Sequence, residues 1–236
     1  MGEARQRFHE QLRTLEDDIQ ELGGQVGRLL TMAQQGLSEG DVAVCDEVVR
    51  GDDEVDRRHL DIEQRIFSLF ALQTPVACDL RLLTALLHIN LHLERIADQA
   101  VNLAKITCLA DGLPPNPQVL RGLGDMGTRA LDMLGTAMQA LARRDLELAH
   151  SLAMLDDAVD ELNRGMLEPV LAAAGDPGML EWGIRMYVVA RQIERIGDNA
   201  VDIGEQVAFI VSGKFQEFTD ASHPELEYPE PLPTGS

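Results

Sequence analysis

Basic residues are scarce in this sequence. The 236 residues include 20 Lys and Arg against 40 Asp and Glu, a formal charge of −20, and so acidic a surface repels nucleic-acid backbones and anionic lipid. No nucleic-acid partner is expected. Cysteine is scarcer still: Cys45, Cys78 and Cys108 are odd in number, far apart in sequence and form no Cys-x-x-Cys pair. That leaves no sign of a zinc knuckle or disulfide framework and fits a reducing compartment. No stretch approaches the ~18 uninterrupted apolar residues of a spanning helix, so direct membrane insertion is not expected. The first 30 residues are charged and periodic rather than a basic patch followed by an apolar run, so a secretory leader is not expected either. A soluble, cytoplasmic protein is the expectation. Asn-Gly hairpin signals and sustained apolar–polar alternation are also missing, which argues against sheet.

What is present is ordinary globular composition, 45% apolar and 25% charged, enough to offset the entropy of ordering by burial. At ~100–200 residues per domain the chain holds one large or two modest domains. Proline marks where helices stop: none precedes Pro75, and the next are Pro114, Pro115, Pro117, Pro169 and Pro177, then four from Pro224 to Pro233. Between Phe8 and Leu37, residues Leu12, Leu15, Ile19, Leu22, Val26, Leu29 and Leu30 recur at the steps of one buried helical stripe. A second helix follows to about Phe70, with Asp41 as its N-cap. The third, Asp79 to Lys105, is apolar on nearly every side, as a helix enclosed by neighbours must be.

After the segment at 111–117 the order repeats, with helices expected over about Val119–Ala142, Asp145–Leu171 and Met179–Ser212. The chain is a tandem duplication. Asp52-Asp53-Glu54-Val55-Asp56 returns 104 residues on as Asp156-Asp157-Ala158-Val159-Asp160, and Glu94-Arg95-Ile96-Ala97-Asp98 returns 100 residues on as Glu194-Arg195-Ile196-Gly197-Asp198. The joining turn is therefore shorter in the second copy, and length changes of that kind belong in loops. The expectation is all-α: two tandem, sequence-related antiparallel three-helix bundles at residues 1–112 and 113–214. Residues 215–236, acidic and proline-rich with no Lys or Arg, are expected to form a disordered tail unable to pack a core.

Chemistry concentrates in the repeated acids. Glu94 and Asp98 are four apart, within about 40° of each other on one helix face. Like charges there repel, and more strongly where apolar neighbours enclose the helix. Something cationic must compensate. Asp52 with Asp56, Asp156 with Asp160, and Glu194 with Asp198 repeat the arrangement, and all eight are candidate metal ligands. Oxygen donors suit Mg, Ca, Mn and Fe, with Zn tolerated. Asn102 and Asp202, one turn beyond Asp98 and Asp198, are additional oxygen donors. A single Glu-x-x-x-Asp is ordinarily a solvated helix face, but matched copies on otherwise apolar helices favour ligation over hydration. They also favour it over pairing with Arg95 or Arg195, each turned about 100° from its glutamate.

Other residues carry less. His88 and His92 have zinc-like spacing, yet their counterparts are Val188 and Gln192, so both read as packing or surface histidines. His59, one turn beyond Asp56, is at most a peripheral ligand. Met32, Met126, Met133, Met138, Met154 and Met166 read as core filler. Gly23 and Gly127, matched across the repeat, each cost ~1 kcal/mol in a helix interior and imply close helix contact.

On Glu94 to Asp98, Glu194 to Asp198, Gly51-Asp52 to Asp56, Asp156 to Asp160, and Ala77-Cys78-Asp79-Leu80-Arg81-Leu82, the chain resembles the PhoU family of bacterial phosphate-transport regulators from about Phe8 to Lys214. The resemblance implies two similar three-helix bundles, multinuclear clusters of divalent or trivalent metal (Fe, Mn, Zn or Mg) on the E(D)xxxD motifs, and a homodimer. It also implies negative regulation of phosphate uptake and signalling, through contacts with the ATPase subunit of the phosphate importer and the phosphate-sensing histidine kinase. Those partners would recruit the protein to the inner face of the membrane. Ala97 departs from the glycine usual there, which Gly197 retains. The competing reading is a di-metal carboxylate enzyme, an oxidase or phosphohydrolase. No repeated Glu-x-x-His pair, phosphate loop or Ser-His-Asp set supports it.

Overall fold

The computed structural model describes residues 2–73, 75 and 77–218. Every regular element among them is a helix: α1 (Gly2–Glu39), α2 (Val42–Gln73), α3 (Ala77–Leu109), α4 (Pro117–Arg143), α5 (Leu146–Gly165), α6 (Leu167–Ala172) and α7 (Pro177–Ser212). The fold is all-α with an internal repeat. Helices α1–α3 form one bundle, and α4, α5 and α7 form the other.

Starts and stops follow side-chain chemistry. Asp41 accepts from the Ala43 and Val44 N–H groups, and Asn116, Asp145 and Asp176 cap α4, α5 and α7 in the same way, satisfying donors that a helix start leaves unpaired. Gly213 closes α7 at φ 77°, a left-handed conformation that glycine adopts without a Cβ penalty. Helix α1 starts at Gly2 and α3 runs to Leu109, beyond the expected Phe8 and Lys105, and one further difference breaks a helix in two. The helix expected over Asp145–Leu171 stops at Gly165 and restarts as the short α6, because the Pro169 ring would collide with the Gly165 carbonyl four residues back.

The first helical stripe is buried throughout, from Leu12, Leu15 and Ile19 to Leu29 and Leu30, and Leu83, Leu86, Ile89, Leu93 and Ile96 of α3 are inaccessible. Of the methionines, Met126, Met133, Met138 and Met166 fill core and Met32 packs at its edge. Met154 instead faces solvent at 73% exposure.

The two bundles interlock. The most extensive helix contact in the molecule joins α3 to α7, and α1 also packs on α4. A Cβ on Gly23 would lie 2.6 Å from Met138, and a Cβ on Gly127 would lie 2.6 Å from Gln34. Met138 stands 104 residues on from Gln34, and Gly127 the same distance from Gly23. Each repeat therefore inserts the equivalent side chain into the other's glycine notch, the reciprocity of a two-fold interface.

Beyond α7 the chain reverses. Residues 215–218, read from composition as the start of the tail, lie against α5 and α7: the Phe218 ring is 4.6 Å from that of His150 and its N–H donates to Glu205 Oε1 at 2.7 Å. The rest of the expected tail, 219–236, lies outside the described residues. No described helix is long and apolar enough to cross a membrane.

Candidate functional site

The first-repeat acids gather along the line where α2 meets α3. Asp52 is half-buried and Asp56 exposed on α2, while on α3 Glu94 is half-buried and Asp98 exposed. Burial, then Asp56 and Asp98, raise the Asp52 carboxyl above its ordinary range. Burial and Asp98 do the same to Glu94, with Asp56 adding to the effect and His59 and Arg95 opposing it. The four thus share one electrostatic environment, and proximity of like charge in a partly dry site penalises ionisation. Asp52 Oδ1 is buried with no hydrogen-bond donor, a costly arrangement for a carboxylate oxygen. Lys105 is the cation acting on Asp52. Asn102 is exposed one turn beyond Asp98.

On the second repeat the same line runs between α5 and α7, and it is drier. Asp156 and Glu194 are buried, at 3% and 8% exposure. Asp156 reaches that depth because residue 197 is glycine: its Oδ1 lies 2.5 Å from where a Cβ would stand. Glu194 Oε1 accepts from Arg191 Nη1 in a short ion pair, while its Oε2 is buried without a donor. Burial raises the Glu194 carboxyl, Arg191 pulls it down and Asp160 pushes it up. Asp160 itself takes Arg164 Nη1 at 3.3 Å. Asp198 is pushed up to about 7 by burial, Glu194, Asp160 and Asp202. Its side chain keeps one face open to water, so the three neighbouring acids carry the direction of that shift.

Asp202 serves a second purpose. His92, buried on α3, points its Nδ1 at Asn199 Oδ1, 3.0 Å away, and at Asp202 Oδ2, 3.3 Å away. Both are acceptors, so Nδ1 carries the proton and donates across the α3–α7 interface. Burial raises Asp202, with His92 and Arg95 opposing. His92 was legible only as a packing histidine, because nothing in a single helix's periodicity reveals a partner 107 residues away. His88 is exposed. The His59 ring places Nδ1 3.3 Å from the Asn90 carbonyl, an acceptor to which Nδ1–H donates.

The guanidinium partner also differs from expectation. Arg95 and Arg195 are exposed and act on the glutamates only at range, whereas Arg191 makes the direct pair. Its spacing of three before Glu194 was the available signal. As the side chains stand, no three Asp, Glu, His or Cys groups among the described residues converge on a point at coordination distance. Each repeat thus presents an acidic seam with a buried carboxylate oxygen lacking a donor, at Asp52 and at Glu194. Such oxygens suit a hard or borderline cation.

Comparison with known proteins agrees with this architecture. The PhoU domain family model matches twice, at residues 19–107 and 123–207. A Synechocystis protein named phosphate-specific transport system accessory protein PhoU homolog is 31% identical over 210 residues, covering 89% of this chain and 93% of its own. PhoU homolog 1 of Mycobacterium tuberculosis is 31% identical over 207 residues, covering 87% and 93%. These relatives are named as accessory proteins, not as enzymes. The crystal structure of PhoU from Pseudomonas aeruginosa superposes with a TM-score of 0.83 at 27% identity, over 88% of this chain and all of that one. The regulatory protein PhoU from Streptococcus pneumoniae shares the fold, with a TM-score of 0.81 at 22% identity over 89% and 99% of the two chains.

Proposed function

This chain belongs to the PhoU family, and from that membership we propose that it is a metal-binding negative regulator of phosphate uptake and phosphate signalling. It works by protein contact rather than turnover, and its partners are the ATPase of a phosphate importer and a phosphate-sensing histidine kinase at the inner face of the membrane. The observation that carries the metal part is the pair of buried carboxylate oxygens without donors, Asp52 Oδ1 and Glu194 Oε2, one on each acidic seam.

Asp52, Asp56, Glu94 and Asp98 would hold cations on one seam, with Asn102 beside them. Asp156, Asp160, Glu194 and Asp198 would do so on the other, with Asp202 beside them. All these donors are oxygen, which suits Fe, Mn, Mg or Zn and disfavours thiolate metals. A bound cation supplies positive charge that offsets the clustered acids and reverses the local sign of the surface. The bare seams repel an acidic or phosphorylated partner group, and loaded seams attract one. Cation occupancy then sets partner affinity.

Elemental analysis of untreated protein is expected to show bound Fe, Mn, Zn or Mg, lost on exchanging Asp98→Ala and Asp198→Ala together. Pull-down of the importer ATPase and the sensor kinase is expected from metal-loaded protein and not from chelated protein. Failure to retain either partner with metal present removes the regulatory reading, and metal-free native protein removes the proposed control.

A further inference from the structure

The two acidic seams share their acids but not their counter-charges. On α7, Arg191, Glu194 and Asp198 fall at steps of three and four along one face, and Arg191 Nη1 donates to Glu194 Oε1. On α5, Arg164 Nη1 reaches Asp160 Oδ2 at 3.3 Å. Carried back across the repeat, these two positions are Leu91 and Leu60, which offer no charge. The arginines that α2 holds beside its own acids are engaged elsewhere: Arg57 Nε donates to the Asp53 carbonyl at 2.9 Å, and Arg58 pairs with Glu21 at 2.7 Å. Lys105 acts on Asp52 through space.

The Arg191 pair is open to exchange. One guanidinium nitrogen meets one carboxylate oxygen, rather than the two-pronged fork that makes such pairs strong, and the other oxygen, Glu194 Oε2, is buried with no donor. The glutamate side chain is 11% exposed and that of Arg191 51% exposed, so the carboxylate is held in place while the guanidinium can swing into water with its stem still on the protein surface. Its charge also favours ionisation of Asp198, so one guanidinium serves two of the candidate ligands.

We propose that Arg191 is a tethered counter-cation of the second seam, competing with a metal ion for Glu194 and giving the two repeats unequal cation affinity. This rests on the metal-binding reading of the seams. An ion arriving at Glu194 Oε2 meets a carboxylate whose charge is already offset, and the guanidinium beside it repels the ion until Arg191 turns outward. Binding therefore costs the second seam a charge-assisted hydrogen bond that the first seam, with Leu91 in that place, does not lose. Arg164 repeats the arrangement at Asp160, more weakly because its side chain is the more exposed of the two arginines. Once displaced, the Arg191 guanidinium faces solvent one turn before the exposed Arg195, so loading adds positive charge to that face of α7 beyond the charge of the ion.

The test uses the full chain, stripped with chelator and titrated with Mn²⁺ by calorimetry. Each seam is read alone, with Asp98→Ala disabling the first and Asp198→Ala the second. On the Asp98→Ala background, Arg191→Leu, which installs the first-repeat residue, is expected to tighten Mn²⁺ binding roughly tenfold, the worth of one charge-assisted hydrogen bond. Arg191→Lys keeps the charge and is expected to stay within about threefold of its parent. Arg195→Leu removes the same charge from an exposed neighbour that acts only at range, and is expected to change affinity by less than about threefold. On the Asp198→Ala background, Leu91→Arg is expected to weaken binding. A loosened fold would bind less Mn²⁺, so the sign of the Arg191→Leu effect separates competition from damage. Unchanged affinity in Arg191→Leu, or an equal gain in Arg191→Leu and Arg195→Leu, overturns the proposal and leaves metal binding in place. Absence of Mn²⁺ binding from the unsubstituted chain and every variant removes the metal reading, and this inference with it.

Discussion

Gly197 and Ala97 hold equivalent places in the two repeats, and Gly197 has a carboxylate laid against it, with Asp156 Oδ1 2.5 Å from the missing Cβ. One methyl group therefore distinguishes the seams. Asp156 is buried, whereas its counterpart Asp52 is half-buried. Gly197→Ala is expected to push Asp156 outward, costing about 1–3 kcal/mol in urea denaturation, the usual range for an overpacked site, and weakening cation retention on α5 and α7 while leaving α2 and α3 unaffected. Ala97→Gly would cost only about 1 kcal/mol of helix propensity. An unchanged second seam in Gly197→Ala would show that the close approach does not matter. The candidate acids could be picked out in sequence because duplication marks them. The different depth of Asp52 and Asp156 could not, since it depends on which side chain a neighbouring helix tolerates.

Among the helices, periodicity and breakers located the long elements, though α1 starts at Gly2 rather than Phe8, and Asp41 could be identified as a cap because a short acceptor side chain ahead of an apolar stripe has few other uses. Two features escaped. The Pro169 break was visible as a proline but not as a restart, since a six-residue helix such as α6 is too short to show a period. The chain reversal after Gly213 escaped because acidic, proline-rich composition hid the apolar anchor Phe218. That anchor has a measurable role. Phe218 fills space beside Gly204, with its ring 3.3 Å from where a Cβ would stand, and packs at a tilt against His150. Phe218→Ala is expected to release the segment and speed tryptic cleavage after Lys214 by roughly three- to tenfold, as local opening becomes easier, with little change in the global unfolding midpoint. Equal cleavage rates in the two proteins would mean the segment is not held by this ring.

For the molecule as a whole, charge decides how stability answers to pH. Asp198 and Glu205 are both pushed up to about 7, Glu205 by burial against the pull of the Phe218 N–H, and Asp52, Glu94, Glu194 and Asp202 are raised as well. A carboxyl whose folded value lies above its unfolded one binds more protons when folded. Its stabilising effect is complete below the unfolded value and is lost as pH rises through the folded one. Chelated protein is therefore expected to melt at a higher temperature near about pH 5.5 than near about pH 8, and a divalent cation, by replacing the protons, is expected to recover most of the difference at the higher pH. A melting temperature that rises with pH in chelator, or one that ignores added cation, contradicts this account. The repeat itself was readable from residues matched block by block, at an offset of 104 for Asp52 to Asp56 and 100 for Glu94 to Asp98. How the copies pack was not, because Gln34 against Gly127 and His92 against Asn199 leave no periodic trace in either partner.

The exchange between α1 and α4, in which each copy fills the other's notch, bears on how such a chain can be divided. The connection at 111–116 takes no part in that exchange: it caps α4 through Asn116, packs Leu113 against the core and keeps the partners at high local concentration. Fragments severed there would still recognise each other, and each would expose, on its own, a surface shaped to receive its twin.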